Sequence, residues 1–297
     1  MKNSLYGNIV CFGEVLWDVA PEGRTPGGAP MNVASHLQNL GTRVSLISRV
    51  GLDPLGKELE NYLNGRFLDT TFLQVDPFHD TCKVQVIADD RQNVKYVFDT
   101  PCAWDFIEVT EENLQLVKEA DAFVFGSLAS RDEVTRQSLL AFLEVSKFNI
   151  FDVNLRSPFY EKEFIQQVLA KADLVKVNDD ELSLLCSWLD FFGKEEEQLL
   201  FLQQQFSINT ICLTRGEKGA WLLEDGQIYK QYGFPVEVED TIGAGDAFLA
   251  SYITKWMEQK YPYERLQFAC AVGAVVSTFK GANPLIKEQD ITALMNE

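Results

Sequence analysis

Short apolar runs alternate along the chain with segments whose apolar residues recur at helical spacing. The first part reads as strand, helix, strand and helix in NIVCFGE, PMNVASHLQNLG, RVSLISRVG and PLGKELENYLNGR. The alternation resumes from DAFVFGSL to INTICLTRG, with helices predicted at about 134–146, at about 162–171 and from Glu181. Strands that alternate with helices form parallel sheets, and strands of almost only apolar residues are covered on both faces. The pattern therefore predicts an α/β fold with a central, mostly parallel sheet.

Two regions interrupt this alternation, at about residues 15–26 and 71–100. In the second, CKVQVIADD and NVKYVFDT alternate apolar with polar residues and are joined by a polar turn at 89–93. This pattern predicts a hairpin with one face exposed to water. We expect these segments to form a small antiparallel lid, with an extension of the main sheet's edge as the alternative. Without an internal repeat or a Pro/Ser-rich linker, residues 1–297 are expected to form a single domain.

The amino-acid composition and net charge limit the kinds of molecule that the protein is expected to bind. The net charge is −18 over 297 residues, with 46% hydrophobic and 24% charged residues, which is typical of a globular protein. So acidic a chain is not expected to bind nucleic acid or an acidic membrane surface, and an anionic substrate would need a locally positive pocket. The N-terminus has no signal-peptide pattern and no window is apolar enough to span a membrane, so we expect a cytoplasmic protein.

Cysteine and histidine usage excludes further chemistries. The six cysteines show no metal-ligand spacing, and three lie in apolar runs, so we interpret them as reduced core residues. The two histidines, His36 and His79, are too few and too far apart for a histidine-based metal site or a catalytic triad.

The stretch DTIGAGDAF precedes a long amphipathic run that predicts a helix from about Gly243. The first N–H groups of a helix have no intrahelical partner and carry the positive end of its dipole, and Gly243, Ala244 and Gly245 leave room for an anion. Asp246 lies in the first turn, where the same field is expected to keep its carboxylate ionised and able to accept a proton from a hydroxyl. These two properties together indicate phosphoryl transfer. The alternative is a glycine turn with an acidic first turn that serves stability alone.

A second glycine turn, in TPGGAPMNVASHLQNLG, precedes a helix that opens at Pro30. Gly28 lets a ligand approach the backbone, and the amide of Asn32 can both donate to and accept from a polyol. Asp18 follows the first strand, where α/β proteins bind ligands. We interpret the three as sugar contacts, with a tight turn before a proline-started helix as the structural alternative.

Three further segments follow predicted strands. TRGEKG offers Thr214, Gly216 and Gly219 to a nucleotide, although it is also an ordinary glycine turn. KVNDDE places Asn178 and Glu181 three residues apart, which suits a water-bridged Mg²⁺ but equally an N-cap with its capping box. DVNLR brings Asn154 and Arg156 to the end of a strand, and arginine binds phosphate in a forked geometry.

Taken together, these segments resemble the ribokinase and fructokinase family of sugar kinases, the PfkB type. GGAPMNVASHLQNLG is similar to the family's N-terminal signature and DTIGAGDAF to its C-terminal one, with NxxE and TxGxxG-like segments in order between them. The resemblance covers essentially the whole chain. It implies a ribokinase-like three-layer sandwich with a small β lid that often forms a dimer contact, and it implies ATP and Mg²⁺.

The resemblance also assigns roles to residues. It implies Asp246 as general base, residues 243–245 as the anion site, Asp18, Gly28 and Asn32 as sugar contacts, Asn178 and Glu181 near Mg²⁺ and phosphate, and Thr214, Gly216 and Gly219 beside the nucleotide. Family members often bind a monovalent cation through an aspartate that matches Asp240 and a loop that matches FKGANP. Ile242 and the region 276–280 depart from that pattern, which weighs against activation by potassium.

GEVLWDV, GGAP and DVNLR resemble fructokinase-like members, which favours phosphorylation of D-fructose at its 6-hydroxyl. Another ketose or a 2-keto-3-deoxy sugar acid is the alternative, since Arg156 could bind a carboxylate as readily as a phosphate. From other classes we consider a dinucleotide-dependent oxidoreductase, which lacks its GxGxxG here, and a non-catalytic sugar sensor, which should have lost Asp246 or Gly245.

Overall fold

A computed structural model describes residues 7–21, 23–88 and 94–296. The predicted turn at 89–93 lies outside the described residues. Within them the chain forms thirteen strands, which are β1 Asn8–Phe12, β2 Leu16–Ala20, β3 Gly23–Gly27, β4 Arg43–Gly51, β5 Leu73–Asp76, β6 Lys83–Ala88, β7 Val94–Phe98, β8 Ala122–Gly126, β9 Asn149–Asp152, β10 Leu174–Asn178, β11 Thr210–Thr214, β12 Ala220–Glu224 and β13 Gln227–Gln231.

The same residues form ten α-helices. They are α1 Ala29–Asn39, α2 Pro54–Gly65, α3 Glu111–Glu119, α4 Glu133–Leu143, α5 Lys162–Leu169, α6 Asp179–Ser187, α7 Glu195–Phe206, α8 Ala244–Met257, α9 Pro262–Ser277 and α10 Glu288–Met295.

Nine strands form the main sheet in the order β13-β12-β11-β10-β9-β8-β1-β4-β5. The strands from β11 to β5 in this order pair in parallel, and β12 and β13 add an antiparallel edge. Alternate residues of each strand enter opposite cores: Val10 and Phe12 pack with α3–α7, whereas Ile9 and Cys11 pack with α1, α2, α8 and α9. Burying each such side chain contributes about 1.5–3 kcal/mol. The three layers confirm the predicted α/β fold.

A second sheet, which we call the lid sheet, has the order β3-β2-β6-β7. Strands β6 and β7 pair antiparallel, as the predicted hairpin requires, and β6 pairs in parallel with β2. The hairpin is therefore not an extension of the main sheet's edge, but the expectation of an antiparallel lid is wrong, because the parallel pairing of β2 with β6 makes the lid sheet mixed. The predicted lid range 71–100 also begins too early, because β5 pairs in parallel with β4 in the main sheet. The reason is that β5 follows α2 and completes a strand–helix–strand crossover, which places it beside β4.

The helix starts agree with the sequence patterns. Helix α8 begins at Ala244 with Gly243 as its N-cap, and α1 begins at Ala29 with Pro30 in its first turn. All six cysteines are free and buried, which confirms their interpretation as core residues. Among the described residues, no helix is both long and apolar enough to cross a membrane.

Candidate active site

A cavity of about 460 Å³ opens at the carboxyl ends of β1 and β8–β11, where parallel sheets bind ligands. The lid sheet covers one side of it, and the N-terminal ends of α1 and α8 form another. Most of its lining is polar, and the lining residues used below are Glu14, Asp18, Gly28, Asn32, Asn154, Arg156, Lys176, Asn178, Glu181, Thr214, Thr241, Ile242, Gly243, Gly245 and Asp246.

Glycine is required where α8 begins. Gly243 has φ 78°, in the left-handed region, and a Cβ there would lie 2.6 Å from the backbone of Ala282. Gly243 and Gly245 both line the cavity. Ala244, the third residue predicted for an anion site, lies outside the cavity lining, and its N–H donates to the carbonyl of Thr241 (3.3 Å). Of the three residues predicted for an anion site, the two glycines therefore border the cavity and leave an opening there.

A buried lysine lies beneath this opening. A Cβ on Gly245 would lie 3.4 Å from Nζ of Lys176, which also donates to Oδ1 of Asp152 at 2.8 Å. Burial disfavours the charged form of Lys176, but the surrounding carboxylates outweigh it and raise its pKa, so the ammonium group stays charged. The α8 N-terminus thus presents a helix dipole to the cavity, and Lys176 of β10 adds a fixed positive charge beside it.

Asp246 lies in the first turn of α8, half-buried, and its Oδ2 accepts a hydrogen bond from Nδ2 of Asn32 at 2.7 Å. Burial raises the pKa of Asp246 to about 6, and the charge of Asp152 adds to the rise. Lys176, the Asn32 hydrogen bond and Arg156 oppose it. Burial therefore dominates the pKa of Asp246. With this pKa the carboxyl is still about nine-tenths ionised at pH 7.

The sugar contacts predicted from the N-terminal segment lie together across the cavity from β9. Asp18 is on the lid strand β2, and burial raises its pKa to about 6, opposed by Arg156. Gly28 caps α1, where a Cβ would lie 2.3 Å from the carbonyl oxygen of Glu14, so no side chain fits. Asn154 and Arg156 follow β9 and face the same space.

Sequence reasoning missed Glu14, which directly follows β1 and is buried. Its Oε1 accepts from the N–H of Ala29 (3.3 Å), whereas Oε2 has no hydrogen-bond partner among the described residues. Burial raises its pKa to about 7. The signal was available, since the position after the first strand that selected Asp18 applies equally to Glu14. Lys176 was also missed, although a lysine inside the apolar run LVKV is unusual for a strand covered on both faces.

Asn178 and Glu181 form the capping box of α6. Oδ1 of Asn178 accepts from the N–H of Glu181 (2.8 Å), and Oε2 of Glu181 accepts from the N–H of Asn178 (2.9 Å). Oε1 of Glu181 accepts from the N–H of Leu155 (2.9 Å). The N-cap and capping box that the sequence offered as the alternative to a Mg²⁺ site are therefore present, and both residues also line the cavity. Each carboxylate oxygen retains a lone pair for water, so the residues fit an indirect contact with Mg²⁺.

The remaining predicted residues lie at the edge of the site. Thr214 lines the cavity at the end of β11, whereas Gly216 and Gly219 lie outside the lining, in and just after a 3-10 turn. The oxygens of Asp240 accept from the N–H groups of Ile242 and Gly281, both at 3.0 Å, so this side chain ties two loops together. In the described part of the chain, no cluster of three or more His, Cys, Asp or Glu side chains could hold a metal directly.

Solved structures of sugar kinases share this fold. Fructokinase from Vibrio cholerae O395, with fructose, ADP and calcium bound, superposes with a TM-score of 0.84 at 26% identity over 98% of this chain and 99% of that one. Fructokinase from Xylella fastidiosa, with ATP bound, has a TM-score of 0.86 at 22% identity, covering 98% and 99% of the two chains.

Sequence comparison leads to the same class. Fructokinase from Escherichia coli is 30% identical, with 91% of this chain and 93% of the relative aligned. Residues 6–289 match the family described as pfkB family carbohydrate kinase. The chain therefore belongs to the pfkB family of carbohydrate kinases, which confirms the resemblance stated above.

Proposed function

We propose that this protein is an ATP-dependent fructokinase that transfers the γ-phosphoryl group of ATP to the 6-hydroxyl of D-fructose. The observation that carries the proposal is the position of Asp246. It lies in the first turn of α8, within the influence of the Lys176 charge, accepts a hydrogen bond from Asn32 and lines the same cavity as Asp18. A base between an anion site and a polyol site is the arrangement that phosphoryl transfer to an alcohol requires.

In the proposed reaction the sugar oxygen attacks the γ-phosphorus as its proton passes to Asp246, and the bond from phosphorus to the ADP oxygen breaks. A pKa of about 6 suits Asp246 to this task, since a general base works best when its pKa is near the working pH. The N-terminus of α8, at Gly243 and Gly245, and the ammonium group of Lys176 stabilise the charge on the transferring group.

The charges around Arg156 support a neutral sugar as acceptor. Burial raises the pKa of Glu14, Asp18 and Asp246, and the charge of Arg156 opposes the rise in all three, so its positive charge already faces three carboxyl groups. A substrate carboxylate beside it would meet these groups as well, whereas sugar hydroxyls can donate to them. The names of the sequence relatives point to fructose among neutral sugars.

In this proposal the nucleotide binds at the β10–β11 end of the cavity, beside Thr214, which lines it, and towards the turn that holds Gly216 and Gly219. Asn178 and Glu181 would hold water-bridged Mg²⁺, which shields phosphate charge when bound. Closure of the lid sheet over the sugar excludes water from the γ-phosphoryl group. We further propose that the lid sheet mediates a homodimer, which sedimentation of the purified protein would test.

The test is ADP release measured by a coupled assay with D-fructose, D-ribose, D-glucose and 2-keto-3-deoxygluconate, each with ATP and Mg²⁺. We expect D-fructose to give the highest kcat/KM, and ³¹P-coupled ¹³C NMR of the product to show phosphate on C6. Preferred turnover of the sugar acid would overturn the neutral-sugar argument. ADP release with none of the sugars, although calorimetry shows that fructose binds, would favour the sugar sensor instead.

A further inference from the structure

Asn283, in the loop that follows α9, contacts the site through one intermediate residue. Its Nδ2 donates to Oδ1 of Asn32 at 2.6 Å, and Nδ2 of Asn32 donates in turn to Oδ2 of Asp246 at 2.7 Å. Asn32 and Asn283 are both buried. The three side chains therefore form one directed chain of hydrogen bonds that spans the region between the C-terminal loop, α1 and α8.

We propose that Asn283 is a positioning residue, which fixes the side-chain amide of Asn32 so that Asn32 presents only N–H groups to Asp246 and to the substrate. An ionised carboxylate can only accept hydrogen bonds, so Asp246 requires a donor from Asn32. The side-chain amide of Asn32 can rotate so that its oxygen and nitrogen exchange places, which would direct the oxygen at Asp246. In that orientation the nitrogen of Asn32 would face the Asn283 donor and no hydrogen bond could form between them, so Asn283 disfavours it. The proposal rests on the proposed function, since it concerns how the same base is prepared.

The backbone around Asn283 is itself anchored. Nη2 of Arg66 donates to the carbonyl of Asn283 (2.8 Å), and Nε2 of His36 lies 2.9 Å from the carbonyl of Ala282. Because these anchors use main-chain carbonyls, they hold the loop whatever side chain stands at 283. The loop's stability and the side-chain relay can therefore be perturbed separately.

The relay predicts a change in the titration of Asp246. Asn283→Leu removes the donor to Asn32, and Asn283→Asp replaces it with an acceptor that would turn the Asn32 oxygen toward Asp246. Without the Asn283 donor, the Asn32 amide is free to rotate away from Asp246, and the resulting loss of the hydrogen bond that favours the charged carboxylate should raise the pKa of Asp246 by about one unit, and more for Asn283→Asp. The charged groups that already face this carboxyl from neighbouring elements stay in place in both variants, and they are Glu14, Asp152, Arg156 and Lys176.

The test compares kcat/KM for D-fructose against pH in wild type, Asn283→Leu, Asn283→Asp and the control Arg66→Gln. We expect the acid limb to move upward by about one pH unit in Asn283→Leu, so that kcat/KM falls about tenfold at pH 5 and recovers toward pH 8.5. Arg66→Gln should lower the thermal midpoint without moving the limb. A loss in Asn283→Leu that is the same at every pH, or an equal shift in Arg66→Gln, would overturn the proposal.

A second readout does not need turnover. In protein labelled with ¹³C at aspartate carboxyls, the Asp246 resonance is identified by its absence in Asp246→Asn, and its titration is followed directly. An upward shift in Asn283→Leu supports the relay even if the enzyme phosphorylates a sugar other than fructose. An unchanged titration overturns it even if fructokinase activity is confirmed.

Discussion

Gly245→Ala should separate activity from stability. Gly245 lies in the first turn of α8, and a Cβ built on it meets only Nζ and Cε of Lys176, at 3.4 and 3.5 Å, which is ordinary contact. Alanine is favoured over glycine in helices by up to about 1 kcal/mol, so the free energy of unfolding should stay constant or rise slightly. The new methyl group, however, would stand in the cavity beside the lysine, where the transferring phosphoryl group is proposed to lie.

A methyl group in this space would push the transferring phosphoryl group away from the α8 N–H groups and Lys176, and losing a single contact that stabilises a developing oxyanion typically lowers kcat by about 10² to 10³-fold. We therefore expect Gly245→Ala to lose at least about 100-fold in kcat for D-fructose, measured by coupled ADP release, while urea unfolding shows no loss of stability.

Gly243→Ala is the matched comparison. Its Cβ would lie 2.6 Å from Ala282 at a residue with φ 78°, so it should be destabilised by at least about 1–2 kcal/mol. Near-normal turnover in a stable Gly245→Ala enzyme would refute the placement of the anion. Equal destabilisation of the two variants would refute the packing argument.

Three further predictions concern the charged groups. In wild type, kcat/KM should fall about tenfold per pH unit below pH 6, because Asp246 has a pKa of about 6; a profile flat to pH 5 would contradict this. Burial raises the pKa of Glu14 from an unfolded value near 4.5 to about 7 in the folded protein, so folding favours the protonated carboxyl. The stability that this proton contributes is fully present below pH 4.5 and is lost as the pH rises through 7. Glu14→Gln should therefore raise the free energy of unfolding by about 1–3 kcal/mol at pH 8 but not at pH 4, and an equal gain at both would contradict the assignment. Lys176→Met leaves Asp152 buried without its partner, so chemical denaturation should show a loss of about 3–5 kcal/mol, whereas Lys171→Met, at a more exposed ion pair, should cost under about 1 kcal/mol.

The parts of the site that sequence predicted well are local in the chain. The glycine turn before α8, the proline-started α1 and the capping box of α6 each follow from a few consecutive residues. Backbone geometry at a helix start depends mainly on those residues, so short patterns are sufficient to identify it.

The parts that sequence missed depend on contacts between distant segments. Asn283 lies 251 positions from Asn32 in the sequence. Lys176 on β10 donates a hydrogen bond to Asp152 on the neighbouring strand β9. The periodicity of apolar residues in the sequence does not predict such pairs, because they depend on the order of the strands in the sheet. The rise in the pKa of Asp246 could not be predicted from the sequence for the same reason, since the burial that causes it comes from several distant elements. The main-sheet membership of β5 likewise depends on its pairing with β4.

Asp246 is proposed to remove the proton of the acceptor hydroxyl, and Asp246→Asn eliminates that base while it leaves the rest of the site unchanged. Asparagine keeps the size of the side chain and can still meet Asn32, so binding of sugar and nucleotide should be nearly intact. We predict that kcat for D-fructose falls at least about 100-fold while KM for both substrates changes less than about threefold. Turnover within a fewfold of wild type would contradict the account.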